Sequence, residues 1–242
     1  MKPDAAPQSF FIGWDVGGWN CDRNGTSRDA IVILDDKLAV VGTPWRGNLR
    51  QCIAASKDTR GWLETLFTTC GAHCPEAATG ITMAIDTPLG FPVEFVRLIT
   101  RQGSVEPHET SGLNCYLFRH TERYMFEHGK APLSAIKDMI GSQATKGMHV
   151  LAKFAQKTES CGVWTDEQAF RVIETYPAAC RDTEFVRTCL AGRQSLGHDD
   201  KNDARICALI AYLFATAPDS FEQPPADVPS DEGWIWVPRT QG

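Results

Sequence analysis

Residues 9–18 read SFFIGWDVGG, and this stretch decides the fold. A short apolar and aromatic run is typical of a buried strand, and the Gly17-Gly18 pair that follows it indicates a turn. Asp15 therefore stands at the end of the first strand. A carboxylate in that position either serves the turn or belongs to a site at the edge of a sheet.

Two strands, a helix and a fourth strand follow along the chain. Strands are predicted at residues 29–34 (DAIVIL) and 38–42 (LAVVG), and together with the first strand they indicate an antiparallel meander. Apolar residues recur at helical spacing within 58–69. A fourth strand at 80–86 (GITMAID) ends in Asp86. A strand pair, a crossover helix and another strand imply a mixed sheet whose fourth strand is parallel to the first.

The second half of the chain completes a mixed five-stranded sheet flanked by helices, which is an α/β fold. A fifth strand is predicted at residues 169–176, and the clearest helix covers 199–217 because its apolar residues share one face. One domain over residues 1–242 is the simplest organisation for a chain of this length. The remaining expectations are short helices at 92–101 and 147–158, an irregular insertion at 103–132 and an edge segment in the Pro-rich tail.

Composition predicts a soluble cytoplasmic protein. Hydrophobic residues make up 43% and charged residues 22% of the chain, as in ordinary globular proteins. The sequence has no apolar run of the roughly 18 residues that a membrane span needs, and its first ten residues do not resemble a signal peptide. The net charge of −6 argues against a protein that coats nucleic acid, because coating depends on many Lys and Arg contacts to phosphate.

The nine cysteines are expected to be free thiols. They are scattered and odd in number, and a reducing compartment disfavours disulfides. Cys70 and Cys74 flank His73, but a structural zinc site normally needs a second ligand pair, and no second pair has a suitable spacing. We therefore interpret this segment as the end of a helix.

Four aspartates are predicted to meet at one edge of the sheet. Asp15 and Asp86 end two parallel strands, and open α/β sheets place their sites at the carboxyl ends of such strands. The last helix begins HDDKNDA, in which Asp200 and Asp203 are three residues apart and share a face. Each aspartate taken alone is typical of a turn or a helix cap. The order of all four favours a site.

A cluster of four carboxylates requires cations or protonation, because the charges repel each other. Oxygen ligands suit Mg²⁺ or Mn²⁺. Two such ions about 3.5–4 Å apart can activate water and stabilise the leaving oxygen of a phosphodiester. The four aspartates are therefore the predicted metal ligands and catalytic residues.

The order of these elements resembles the ribonuclease H-like superfamily, with RuvC-type Holliday junction resolvases as the nearest well-understood pattern. The chain more specifically resembles the family called domain of unknown function 429, described as predicted nucleases. The segments that carry this resemblance are GWDVGG at 13–18, AIDTPLG at 84–90, RHTER at 119–123, ETYPA at 174–178 and HDDKNDA at 198–204.

The resemblance implies a metal-dependent nuclease that acts on a nucleic acid or nucleotide. It implies that Asp15, Asp86, Asp200 and Asp203 match the catalytic acids, although the resolvases usually carry Glu where this chain has Asp86. It adds Glu174 as a further ligand or base, with a strand Glu paired to an Arg as the alternative.

By the same resemblance, three basic residues become candidates for contacts with phosphate. Arg119 and Arg123 would form one basic helix face, and Lys201 lies beside the two helix aspartates. The alternatives are an ion pair with Glu122 or with the acidic cluster for the arginines, and a solvated side chain for Lys201. Exposed tryptophans near the site could stack bases, although most tryptophans are core residues.

Two other functions fit the sequence less well. An actin-like or sugar-kinase phosphotransferase also opens with a strand followed by Asp and Gly. Such a protein repeats this opening in two lobes, whereas this chain contains the opening once. A non-catalytic binding module on a nuclease fold would have no use for repelling aspartates. Binding of ATP would favour the first of these alternatives, and a lack of stabilisation by Mn²⁺ would favour the second.

Overall fold

The strands form one seven-stranded mixed sheet in the order β3-β2-β1-β4-β7-β6-β5. The computed structural model describes residues 8–76, 78–106 and 110–239. The central strands β1, β4 and β7 are parallel to each other, whereas the outer pairs are antiparallel. The strands are β1 (Gln8–Asp15), β2 (Asp29–Asp35), β3 (Trp45–Gly47), β4 (Ala78–Asp86), β5 (Lys157–Ser160), β6 (Val163–Thr165) and β7 (Phe170–Glu174).

Helices cover both faces of the sheet. The α-helices are α1 (Arg50–Ala55), α2 (Thr59–Thr69), α3 (Val93–Ile99), α4 (His120–Glu127), α5 (Gly141–Phe154), α6 (Pro177–Cys180), α7 (Glu184–Leu190) and α8 (Asp199–Thr216). Short 3₁₀ turns occur at Cys21–Arg23, Ser111–Leu113, Pro218–Ser220 and Ser230–Glu232. Within the described ranges, no helix is both long and apolar enough to cross a membrane.

The alternation of residues in β1 divides the core into two layers. Ile12 and Trp14 face a cluster that includes side chains of α2 and α5, and Phe11 faces a cluster built largely on α8. Gly13 lies on the α8 face, where a Cβ atom would lie 1.8 Å from the carbonyl oxygen of Ala204. Helix α8 therefore crosses directly over β1, and only glycine permits that approach.

The predicted mixed α/β sheet is confirmed, but its strand count is wrong. The third strand is Trp45–Gly47 instead of residues 38–42, where Leu38 has a left-handed φ of 59° and Val40 makes a single bridge. Strands β5 and β6 were not predicted. Helix α5 ends at Phe154, four residues before the predicted end, and the fully exposed β5 has no apolar alternation that could mark it as a strand.

The predicted irregular insertion contains a helix. Helix α4 begins after Arg119, whose backbone amide donates to Glu122 Oε2 at 2.7 Å, so the Glu122 carboxylate caps the first turn. The tail is not the expected edge segment: Ile235 bridges to Glu174 at the end of β7, which is an interior strand, and residues 234–237 are buried. Residues 107–109 of the insertion and residues 1–7, on which the signal-peptide expectation partly rests, lie outside the described ranges.

Candidate functional site

Asp15 and Asp86 lie side by side at the carboxyl edge of the sheet. They are the last residues of the parallel neighbours β1 and β4, and they are direct register partners. Adjacent strands are about 4.8 Å apart, and residues paired in this way project from the same face. That face is the one occupied by α8, because Asp15 follows Gly13 by two residues. The predicted convergence of the two strand ends is therefore present.

Burial and mutual repulsion oppose ionisation of this pair. Burial raises the pKa of Asp15 well above its ordinary value, and the charges of Asp86, Asp200 and Asp203 raise it further. Burial, followed by the charges of Asp203 and Glu174, raises the pKa of Asp86 to about 8. In the described part of the chain, neither carboxylate forms an ion pair with Lys, Arg or His. Both effects therefore favour the protonated carboxyls over the ionised ones unless a cation binds.

Asp200 is already bound by the protein. It lies in the first turn of α8, where its Oδ2 accepts hydrogen bonds from Arg46 Nε at 2.7 Å and from the Arg28 amide at 3.0 Å. His198 precedes the helix and its Nδ1 caps the Asp200 amide. Asp200 thus fastens α8 to β3 and to the loop before β2, in addition to being near the pair.

Asp203 is closer to solvent and has a weaker partner. Its Oδ1 accepts a hydrogen bond from Arg181 Nη2 at 2.7 Å. The Arg181 side chain is 56% exposed, and exposed ion pairs contribute only about 0–1 kcal/mol. Burial raises the pKa of Asp203 despite the opposing effect of Arg181. Asp203 is therefore the helix aspartate that can most easily turn toward Asp15 and Asp86.

Glu174 is a structural residue in this geometry. Its side chain is buried, and Arg119 donates to it from Nη1 at 2.8 Å and from Nη2 at 2.6 Å, while the Leu89 amide donates at 2.8 Å. Glu174 pairs in register with Ile85, so it projects from the face opposite to Asp86. Its surroundings are those of the alternative given above, a strand Glu paired with an Arg.

The predicted phosphate contact of Arg119 does not agree with its surroundings. Arg119 is buried, and besides Glu174 it donates to Glu122 at 2.9 Å and to the Glu232 carbonyl at 2.9 Å. Arg123 is half-buried, and its Nε atom has no hydrogen-bond partner among the described residues. Lys201 is half-buried in the first turn of α8. The two arginines do not form a common exposed face.

Most of the tryptophans near the site belong to the core. Trp14, Trp234 and Trp236 are buried. Trp19 is half-buried and packs edge-on against His149, with ring centroids 5.5 Å apart. Base stacking on the buried three is therefore excluded in this conformation.

A buried ion pair that sequence reasoning missed holds the loop after Asp15. Lys146 on α5 and Asp29 at the start of β2 are both fully buried and hydrogen-bonded. Asp29 also accepts from the Trp14 indole at 3.1 Å and from the Gly17 amide at 2.9 Å. The two residues are 117 positions apart, so no local pattern could connect them.

A cavity of about 200 Å³ opens beside Asp15 and Asp86. The polar residues Ser27, Thr87 and Gln143 and the ring of Tyr176 contribute to its wall. The Tyr176 hydroxyl donates to the Ala131 carbonyl at 3.2 Å, which fixes the ring. The remaining lining residues are Val16, Pro88, Pro132, Leu133, Ile140, Glu174, Thr175 and Ile235.

No protein-family model, curated protein or solved structure matches this chain. The assignment to the domain of unknown function 429 family therefore stays a prediction that rests on the quoted motifs. Across the described residues, no three His, Cys, Asp or Glu side chains are close enough to hold a metal ion. The structure thus places Asp15 beside Asp86 and holds the nearby Asp200 and Asp203 in ion pairs with Arg46 and Arg181.

Proposed function

We propose that this protein is a divalent-cation-dependent phosphodiester hydrolase with Asp15 and Asp86 as its cation ligands. One observation carries the proposal. Each buried carboxylate of the described chain has a Lys, Arg or His partner, whereas the half-buried neighbours Asp15 and Asp86 have none among the described residues. The buried and partnered carboxylates are those of Asp29, Glu122, Glu174, Asp200 and Glu232.

The topology supports a ribonuclease H-like architecture for this enzyme. In that interpretation the core is β3-β2-β1-β4-β7, in which an antiparallel meander precedes two parallel strands. Asp15 ends the first strand of this core and Asp86 ends the fourth. A two-lobed kinase would need a second sheet, and the strands of the described residues belong to one.

The donor set fits one Mg²⁺ or Mn²⁺ ion. Mg²⁺ is usually held by one or two carboxylates, with waters and substrate phosphates completing its shell. Asp15 and Asp86 supply those carboxylates. The predicted pair of ions would also require Asp200 and Asp203 to leave Arg46 and Arg181. A bound divalent ion lowers the pKa of water and polarises a phosphate oxygen.

The residues around the pair have separate tasks in this proposal. Asp200, held by Arg46, fixes the start of α8 against the sheet. Asp203 can join the pair when Arg181 turns away. Arg181 is largely exposed beside the site, so we propose it as a phosphate contact in place of the buried Arg119. Lys201 remains a proposed phosphate contact because it lies in the first turn of α8, beside Asp200.

Thermal unfolding with and without Mn²⁺ or Mg²⁺ tests the cation site. We expect millimolar Mn²⁺ to raise the Tm of the wild type but not of Asp15→Asn or Asp86→Asn, because ligands that bind only the native state stabilise it. Asp36→Asn, an exposed turn variant, is the matched control and should behave as the wild type. Equal Tm shifts in all four proteins would contradict the proposed ligands.

Cleavage of end-labelled oligonucleotides tests the reaction itself. Single-stranded DNA, single-stranded RNA and duplex DNA are incubated with Mn²⁺, Mg²⁺ or EDTA. We expect cleavage that requires a divalent ion and that falls at least 100-fold in Asp86→Asn, with the Asp36→Asn control unaffected. Activity that persists in EDTA or in Asp86→Asn would refute the mechanism.

A further inference from the structure

The cavity beside Asp15 and Asp86 has features of a nucleotide site that the proposed hydrolase does not by itself require. We infer that the substrate unit is a single unpaired nucleotide, whose base enters this cavity while its phosphate lies at the carboxylate pair. That nucleotide is the unpaired end of a strand, whose phosphodiester is the bond to be hydrolysed, and a free mononucleotide corresponds to the product. The inference rests on the proposed function and specifies its substrate class.

The size of the cavity selects a small flat group. An engineered cavity of about 150 Å³ takes up one benzene ring, and pockets for larger ligands measure about 300–1,000 Å³. At about 200 Å³, this cavity holds one base with little additional material. A paired base would have to leave its duplex before it could enter, and the loss of its pairing and stacking opposes that step.

The wall of the cavity suits the faces of a planar ring. Leu133 lines the cavity but is 53% exposed, so an apolar side chain at the opening of the cavity faces solvent. Ile140 and Pro132 continue this apolar surface, and the Tyr176 ring is anchored through its hydroxyl. Stacking on an aromatic side chain stabilises a bound base whatever its identity.

A buried polar group in the wall lacks a partner. Thr87 is only 5% exposed, and its Oγ1 atom has no hydrogen-bond partner among the described residues. A buried hydroxyl without a partner costs free energy, and a ligand group that pairs with it removes that cost. Gln143 lines the same cavity with an amide that can both donate and accept, which matches the edge of a base.

The charges around the cavity disfavour a duplex. None of its lining residues is Lys, Arg or His. The nearby basic side chains Arg46, Arg119 and Lys146 are bound to carboxylates. Duplex binding relies on a row of free basic residues along the phosphate backbone, and the net charge of −6 offers no excess of them. Recognition through one base needs no such row.

Equilibrium dialysis with labelled adenosine and uridine monophosphates tests the inference. The full chain is measured in Mg²⁺ and in EDTA, alongside a 12-nucleotide single strand and a blunt 12-base-pair duplex. We expect at least one mononucleotide to bind with a submillimolar Kd and the single strand to bind at least 10-fold more tightly than the duplex. Competition by the mononucleotide identifies the strand end as the group that enters the cavity, and its failure to compete with a bound strand overturns the inference.

Two cavity variants and one control complete the test. Ile140→Trp fills the cavity and should weaken mononucleotide binding at least 10-fold, whereas Ile99→Trp, on the exposed part of α3, should not. Thr87→Val keeps the side-chain shape but removes the hydroxyl, and should weaken binding about 5-fold. If circular dichroism shows that Ile140→Trp does not fold, the binding of the Thr87→Val variant tests the inference instead. Unchanged binding in the folded variants overturns the inference.

The cation experiment remains separate from this one. If Mn²⁺ fails to stabilise the wild type while the mononucleotide binds and Ile140→Trp abolishes binding, the hydrolase proposal fails and the nucleotide cavity stands. If Mn²⁺ stabilises the wild type while the duplex binds as tightly as the single strand, the cation site stands and the substrate class is wrong.

Discussion

Replacing Asp86 with Asn is expected to stabilise the protein in cation-free solution at neutral and alkaline pH. The Asp86 carboxyl is half-buried beside Asp15 and has no basic partner among the described residues, so the folded state opposes its ionisation. The unfolded chain does not oppose it. Asn occupies nearly the same volume and carries no charge, so the variant avoids the conflict.

The size of the effect follows from the pKa of Asp86. Burial raises it from 3.8 to about 8. Between those two values the native state holds a proton that the unfolded chain has released, so the free energy of unfolding falls by about 1.4 kcal/mol for each pH unit. The accumulated loss at pH 7 is on the order of 4 kcal/mol and is absent at pH 3.8. For a chain of this size, that corresponds to roughly 10 °C in Tm.

Urea unfolding in EDTA at pH 5, 6.5 and 8 measures this difference. We expect the stability advantage of Asp86→Asn over the wild type to grow from pH 5 to pH 8. Glu174→Gln is the opposite control, because Glu174 is paired with Arg119 and its loss should destabilise the protein at every pH. Mn²⁺ should reverse the order of wild type and Asp86→Asn by stabilising only the wild type.

An Asp86→Asn variant that is no more stable than the wild type at pH 8 in EDTA would refute this reasoning. It would mean that the carboxylate is solvated or paired in solution, and the argument for a cation site would lose its basis. A wild type whose stability rises steadily from pH 5 to pH 8 would contradict it as well.

Three further predictions concern the surroundings of the site. Gly13→Ala should destabilise the protein by about 3 kcal/mol in urea unfolding, because its methyl group would collide with the α8 backbone; unchanged stability would show that α8 can shift freely. Arg181→Ala should tighten Mn²⁺ binding a few-fold in calorimetric titration by releasing Asp203, and weaker binding would count against that role. Lys146→Met should cost about 3–5 kcal/mol at pH 8 and less as the pH falls, because burial raises the pKa of its partner Asp29 and protonation removes the charge left unpaired; a loss independent of pH would contradict the ion-pair explanation.

The strand ends illustrate what could be predicted. Asp15 and Asp86 each end an apolar run, and such a run predicts a buried strand from neighbouring residues alone. The start of α8 was equally clear from its aspartates and apolar face, and it lies at Asp199 as predicted. The short exposed strand β5 was missed because it owes its structure to pairing with β6 instead of to apolar alternation.

The electrostatic partners could not be predicted, because they come from distant parts of the chain. Arg46 and Asp200 are 154 residues apart, and Arg119 and Glu174 are 55 apart. Carboxylates that look alike in the sequence therefore differ in whether the folded chain gives them a basic partner. Asp200, Asp203 and Glu174 have arginine partners, whereas Asp15 and Asp86 have none among the described residues.

The sequence by itself determined which carboxylates reach the carboxyl edge of the sheet, because strand termini and helix starts are encoded by neighbouring residues. Only the tertiary structure decided which of those carboxylates remain without a basic partner, because ion pairs and cavity walls form between segments that meet only after folding. The same assembly of distant segments created the cavity beside Asp15 and Asp86, in whose wall the Thr87 hydroxyl has no partner among the described residues.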